Sequence, residues 1–304
     1  MIVFFYNKGW IMQKKIPMSD PQRGPSGVGL SRRFVLRRLL GLFCVSMAVV
    51  ALSGQRVGAQ VGQQGLEGVD RVLAMPNGAY SGRLSHAPAP EGRAYRLPAD
   101  SSLAVRQDAR LRIYLFRAWK RERDLRFEFR DLRQQPVATL LYLDGGRQIW
   151  LRDFRRNELH RKDGALRFEP LLATAFSFED LRPERYEARY DGAAPRRLPD
   201  NRIELRAQAF PDSDYGNLIF ISRTDPDWQP GRVDFHDREG ILFKTLLYGY
   251  GGRIAVAGAG IAAAGYPTLL EMMDLRHEAV SRLEWAEADT TRPINAGLFD
   301  PDTL

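Results

Sequence analysis

Three short segments of this chain alternate strictly between apolar and polar side chains. LRFEFR sets Leu125, Phe127 and Phe129 against Arg126, Glu128 and Arg130; NRIELR sets Ile203 and Leu205 against Arg202, Glu204 and Arg206; GRVDFHD sets Val233 and Phe235 against Asp234 and His236. A period of two places successive side chains on opposite faces of a strand, so each segment turns one face to a core and the other to water. The breaks between runs carry turn chemistry: DGG at Asp144, DG at Asp163, YG at Tyr215 and REG at Arg238. Many short strands joined by tight turns specify an antiparallel meander, closed or half closed, preceded here by one short helical candidate from Leu66 to Ala74.

The net charge of +8 looks like a signal for nucleic acid or anionic lipid until its position is considered. Residues 1–59 hold nine of the 45 Lys and Arg and one of the 37 Asp and Glu, so residues 60–304 hold 36 of each sign. The body is neutral, and no nucleic-acid partner is expected. The leader ends in SRRFVLRR, an apolar run LLGLFCVSMAVVAL (Leu39 to Leu52) and a small-residue segment, the pattern of a secretory signal peptide cleaved after Ala59. Its apolar run is short for a bilayer span, which favours cleavage over a retained anchor. Arg32-Arg33 fits a twin-arginine signal and an ordinary n-region alike, and Met18 is an alternative start. The one cysteine, Cys44, lies inside the leader after Phe43, so the body has no disulfide, thiol nucleophile or thiolate metal site, and export leaves it a periplasmic or extracellular home.

Residues 60–108 hold the helical candidate and a Pro- and Gly-rich stretch to which the sequence assigns no role, and 109–304 form one domain. Chemical motifs there are weak. GAGIAA (Gly258 to Ala263) matches a dinucleotide pattern, but Pro267 arrives too soon for a phosphate-binding helix. His86, His160, His236 and His277 are scattered singly and read as surface or turn residues, not zinc ligands. PDSDYGN and TDPDW space their aspartates like part of a calcium loop but lack its ordered ligand series. No cofactor and no metal are expected. The 33 arginines of the body face three lysines in number, and they stand opposite apolar residues as a solvated outer face.

TAFSFEDL (Thr174 to Leu181) sets two adjacent carboxylates between aromatics. Ser177 is read as the cap of a one-turn helix that Pro183 ends, with Asp180 suited to the positive helix end and Phe176 stapled to Leu181. Adjacent helix residues diverge by about 100°, so Glu179 and Asp180 do not form an opposed acid pair, and no enzyme is expected.

From about Arg110 onward the chain resembles the LolA-like outer-membrane lipoprotein-sorting proteins of the periplasm. ATAFSFEDL (Ala173 to Leu181) is similar to that family's small residues followed by Phe-Ser-aromatic-Glu-Asp-Leu. In the same order, GGRQIWL resembles its Trp-bearing strand, DREGILFKTLLY its hairpin with a Lys, PTLLEMMDL its Pro-to-Met strand and INAGLFDPDTL its closing Phe-to-Leu segment. Ala173 and Ala175 stand where the family tends to have Gly and Asp, and no proline closely follows Trp150-Leu151. The resemblance implies an α+β, mainly β fold: an incomplete, half-open antiparallel β-barrel around an apolar hollow, with short helices acting as a lid. It implies a periplasmic carrier of lipoprotein acyl chains or another lipid, with an inner-membrane transporter and an outer-membrane receptor as partners. A sensor or adaptor on the same fold, regulating a membrane partner or exporter, is the alternative. ATLLYL, GNLIFIS and ILFKTLL carry apolar residues at both parities, which suits either a curved sheet with a hollow or burial on two sides. Tyr142, Trp150, Phe176, Phe178, Phe220, Phe243 and Met272 are the expected lining.

Overall fold

Fifteen strands among the described residues form a single sheet. The computed structural model describes residues 61–88, 111–199, 201–211, 213, 215–222, 229–250, 255–257 and 266–304. The leader with Cys44, the Pro-rich stretch from 89, TDPDW and GAGIAA lie outside them. A helix, α1, covers residues 61–73. The strands are β1 (Gly78–Pro88), β2 (Arg112–Arg121), β3 (Asp124–Arg130), β4 (Pro136–Leu143), β5 (Gln148–Asp153), β6 (Glu158–Arg161), β7 (Tyr190–Gly192) and β8 (Arg196–Arg197). They continue as β9 (Ile203–Ala209), β10 (Asn217–Ser222), β11 (Pro230–His236), β12 (Leu242–Gly249), β13 (Ala255–Ala257), β14 (Leu269–Asp274) and β15 (Ala279–Asp289).

Across the sheet the order is β6-β5-β4-β3-β2-β1-β15-β14-β12-β11-β10-β9-β7, with β13 parallel to β15 and β8 on β9. The neighbours along that path are antiparallel. The chain therefore lays strands outward from the centre to β6, then returns from β7 on the opposite edge. No pairing joins β6 to β7 among the described residues, so the barrel is half open, and the segment 162–189 must cross between its two edges. That segment is built of short 3-10 turns, including Glu179–Leu181 and Tyr186–Ala188.

Register sorts the side chains. On β2 every second residue is buried (Tyr114, Phe116, Ala118, Lys120) while Arg112 and Arg117 face water. One inner row runs Leu205, Phe220, Val233, Leu246, Met272, Ser281 and His86 from β9 to β1. Another runs Leu140, Phe127, Ala118 and Tyr80. Phe116 meets the Trp285 ring edge-on at 5.1 Å and Phe127 stacks on Phe129 at 5.6 Å. These rings form one core, and each buried apolar side chain contributes on the order of 2 kcal/mol.

Three expectations need correcting. First, the outer face is not all solvated: Arg126 and Leu141 are buried there, and Arg126 donates to the Leu298 carbonyl at 2.8 Å and to Thr303 Oγ1 at 3.1 Å, so the chain's last turns cover it. Second, His86 is a buried inner-face residue, its Nδ1 2.9 Å from Ser281 Oγ. Third, Ser177 does not cap the Glu179–Leu181 turn through its side chain; Asp180 reaches back to the Ser177 N–H at 2.7 Å, and Ser177 Oγ meets the Tyr215 hydroxyl at 3.0 Å. An eleven-residue strand, β1, falls within the stretch to which the sequence assigned no role, and it lies between β2 and β15 and pairs with both at the sheet's centre. The DGG turn behaves as its glycines require: Gly145 and Gly146 sit at φ +73° and +87°, where a Cβ is costly.

Candidate functional site

The crossing segment is fastened to the concave face by buried charge. Glu179, with 4 % of its side chain exposed, accepts from Arg182 at 3.1 Å through both oxygens and from Arg189 at 2.7 Å. Asp180, wholly enclosed, accepts from the Tyr215 hydroxyl at 2.6 Å, the Ser177 N–H at 2.7 Å and the Lys244 ammonium at 3.0 Å. Every oxygen of the two carboxylates is thus occupied. Tyr142 donates its hydroxyl to the Phe178 carbonyl at 2.8 Å. Burial, reinforced by the neighbouring carboxylates, holds the Tyr142 and Tyr215 phenols well above the usual range, so both remain neutral donors.

Helix α1 closes the other side. Gly62, Leu66, Val69 and Leu73 recur at helical spacing and turn inward, while Gln64, Glu67 and Arg71 stay exposed. Gly62 rides on Gly192 of β7 so closely that a Cβ there would lie 2.0 Å from the Gly192 carbonyl oxygen. Asp70 accepts the N–H groups of Tyr186 at 2.7 Å and Glu187 at 2.9 Å, and Gln63 donates to the Glu187 carbonyl at 3.2 Å. Burial pushes the Asp70 carboxyl up to about 6, against the pull of those two N–H groups. The helix is therefore clasped to the crossing segment, and the two form a cover over one end of the sheet.

Beneath that cover lies a cavity of about 670 Å³, inside the range of small-molecule pockets. Its apolar walls include Leu73 at the helix end and Met75 just after it, Leu125 and Phe127 of β3, Leu246 and Tyr248 of β12, Leu270 of β14 and Trp285 of β15. Charged residues ring it: Lys120, Glu122, Arg123, Arg147, Arg182, Glu184 and Arg185. A groove of about 810 Å³, which shares Trp285 with this cavity, mixes Leu115, Phe116 and Tyr250 with Arg83, Arg117, Arg130, Glu284 and Glu287 in its lining.

None of the seven residues expected to line a hollow is in the walls of this cavity. Tyr142, Phe176, Phe178, Phe220, Phe243 and Met272 are closed into the core around it. Lys162 stands over the Phe178 ring at 5.3 Å, Tyr186 meets Phe220 edge-on at 5.0 Å, and the Arg276 guanidinium covers Phe243 at 4.4 Å. Trp150 is half-buried at the other parity of β5 from Ile149, with Arg161 over its ring at 5.7 Å. Leu73, Leu125, Tyr248, Trp285 and Lys120 were missed. A signal for Lys120 exists: in RIYLFRAWKR it shares the parity of Tyr114, Phe116 and Ala118.

Among the described residues no cluster of three or more metal-ligating side chains occurs, and no helix is long and apolar enough to cross a membrane. No family model and no curated protein matches the sequence. Solved structures do match. A putative outer membrane lipoprotein-sorting protein domain from Vibrio parahaemolyticus aligns with a TM-score of 0.59 at 14% identity, covering 81% of this chain and 98% of that one. The fold is LolA-like. A LolA superfamily protein from Nitrosomonas europaea aligns with a TM-score of 0.57 at 16% identity, over 80% of this chain and 99% of that one. A DUF1329 family protein from Desulfovibrio piger gives 0.59 at 13%, over 81% and 99%. Identities this low speak for the LolA-like architecture, a half-open barrel with a cover, and not for a ligand.

Proposed function

We propose that this chain is a periplasmic carrier, not an enzyme, that shelters an acyl chain of a lipoprotein or another lipid under its cover and takes part in outer-membrane lipoprotein sorting. The observation that carries the proposal is the cavity of about 670 Å³ between a curved apolar sheet face and a cover made of α1 and the crossing segment. Removing an acyl chain from water is worth about 0.8 kcal/mol per CH₂, so a carrier has to offer continuous apolar wall and still release its cargo. A cover that is a separate layer, held by polar clasps and by the packing of Leu66, Val69, Phe176 and Phe178, meets both needs, since it can lift as a piece without unfolding the sheet. Lifting it would draw Phe176 and Phe178, the inward rings of the crossing segment itself, away from Tyr142 of the sheet and open the cavity toward them. Delivery would then need an inner-membrane transporter upstream and an outer-membrane receptor downstream.

The test is native mass spectrometry with lipid extraction on the protein purified from a periplasm. Co-purifying acyl lipid or lipoprotein supports the reading; a clean apo mass with no uptake of added fatty acid or lipopeptide refutes it. Leu73→Glu, at a half-buried wall position, is expected to abolish uptake with little change in melting temperature. Phe178→Asp, at a position 2% exposed, is expected to lower stability and uptake together.

A further inference from the structure

The body of this protein has three lysines, and each stands near the covered end of the sheet. Two are partnered: Lys244 with Asp180 at 3.0 Å, and Lys162 with Glu169 at 2.8 Å. Lys120 is different. It is 5% exposed and lines the cavity, yet among the described residues no hydrogen bond or ion pair reaches its ammonium. The other cations of the same wall are neutralised: Arg123 by Asp144 and Glu184, Arg147 by Asp144, Arg182 by Glu179 and Glu184, and Arg185 by Glu187. Asp124 and Glu122 stand near enough to act on Lys120 electrostatically but make no direct contact with it, Asp124 accepting the Asp144 N–H at 2.9 Å and Glu122 being exposed. The indole N–H of Trp285, in the same cavity wall, is also buried without a partner.

Leaving an ammonium buried and unpaired is costly, and such groups are ordinarily matched by a counter-ion. Resting on the carrier reading above, we infer that the cavity takes an amphiphile whose anionic head, a carboxylate or a phosphate, is received by Lys120 while its hydrocarbon lies along Leu125, Phe127 and Trp285. The alternating burial of β2 carries the lysine stem along the same inner face as Phe116 and Ala118, so the charge is delivered to the end of an apolar wall. Burial pushes the amine down to about 8 against the pull of Asp124 and Glu122, which leaves the protonated form dominant at neutral pH with no carboxylate in contact until a ligand brings one. A neutral acyl chain would fill the wall and leave both donors unmet.

The experiment compares decanoate, decyl phosphate and decanol, each below its micellar concentration, by calorimetric titration of the purified protein and of Lys120→Met. Methionine keeps the stem and removes the charge, so its melting temperature is expected to stay level or rise; Lys120→Gln is the second variant should it not. The expected result is that at least one anion binds about tenfold or more tighter than decanol to the native protein and that the ratio falls to about one in Lys120→Met. Which of decanoate and decyl phosphate binds tighter separates a fatty-acid source from a phospholipid-type one. Equal binding of all three in the native protein, or a preference that survives both substitutions, overturns the headgroup site while leaving the cavity reading intact. No binding of any of the three overturns the cavity reading as well.

Discussion

Asp70 is the clasp whose strength can be read against pH. Its carboxylate accepts the Tyr186 and Glu187 N–H groups at 2.7 and 2.9 Å, but burial outweighs them and raises its pKa from 3.8 to about 6. A group that binds its proton more tightly when folded contributes stability that is complete below its unfolded value and is lost as pH rises through its folded one. The window is therefore about pH 4 to 6, and at 1.36 kcal/mol per tenfold the loss across it amounts to about 3 kcal/mol. With 8% of the residue exposed, little of this is screened by solvent. Asp70→Asn cannot titrate, and it keeps one acceptor for the two N–H groups. Urea denaturation of the native protein and Asp70→Asn at pH 4 and pH 7.5 isolates the difference, because every other titrating group is common to both. Relative to the variant, the native protein is expected to lose about 3 kcal/mol between the two pH values. A difference that stays within about 0.5 kcal/mol would mean that Asp70 titrates as a solvated carboxyl, and the clasp would have to be explained without its burial.

Other substitutions probe the crossing segment. Glu179→Ala strands Arg189 in the interior and leaves Arg182 with Glu184 alone, and it is expected to cost about 3–5 kcal/mol by chemical denaturation; a loss under about 1 kcal/mol would show that water reaches these arginines. In a double-mutant cycle, Lys244→Met and Asp180→Asn are each expected to destabilise, and the pair together to lose less than the sum by about 1–3 kcal/mol, while additivity would mean no coupling. Ala173 sits at φ +56° and is exposed, so Ala173→Gly relieves a left-handed backbone at some cost in chain entropy. A gain of about 1 kcal/mol, or about 2–4 °C in melting temperature, is expected, and a fall would argue against that strained conformation.

The alternation of LRFEFR, NRIELR and GRVDFHD is a property of neighbours along the chain; all three are strands, and β9 follows it closely, while β3 and β11 also bury Arg126 and Asp234 on the polar parity. The half-open barrel implied by the resemblance is present, as are turns at DGG and REG. The readings that failed concern partners far away in sequence. Ser177 looks like a cap because caps are local, yet Tyr215, 38 residues on, takes its hydroxyl. Arg126 looks solvated because its own strand alternates, yet Leu298, 172 residues away, receives its guanidinium. Nothing near His86 announces Ser281 as its neighbour.

By itself, then, the sequence determined period, turns and sheet type, because these follow from steric preferences that act over a few residues. It also determined which side chains share a face, Lys120 with Phe116 and Ala118 among them. Only the tertiary structure decided which face each cover encloses, which charges find a counter-charge and where the cavity opens. Those outcomes depend on the chain crossing from β6 to β7 and on α1 closing over it, contacts whose energies come from desolvation and pairing between segments that no local pattern connects.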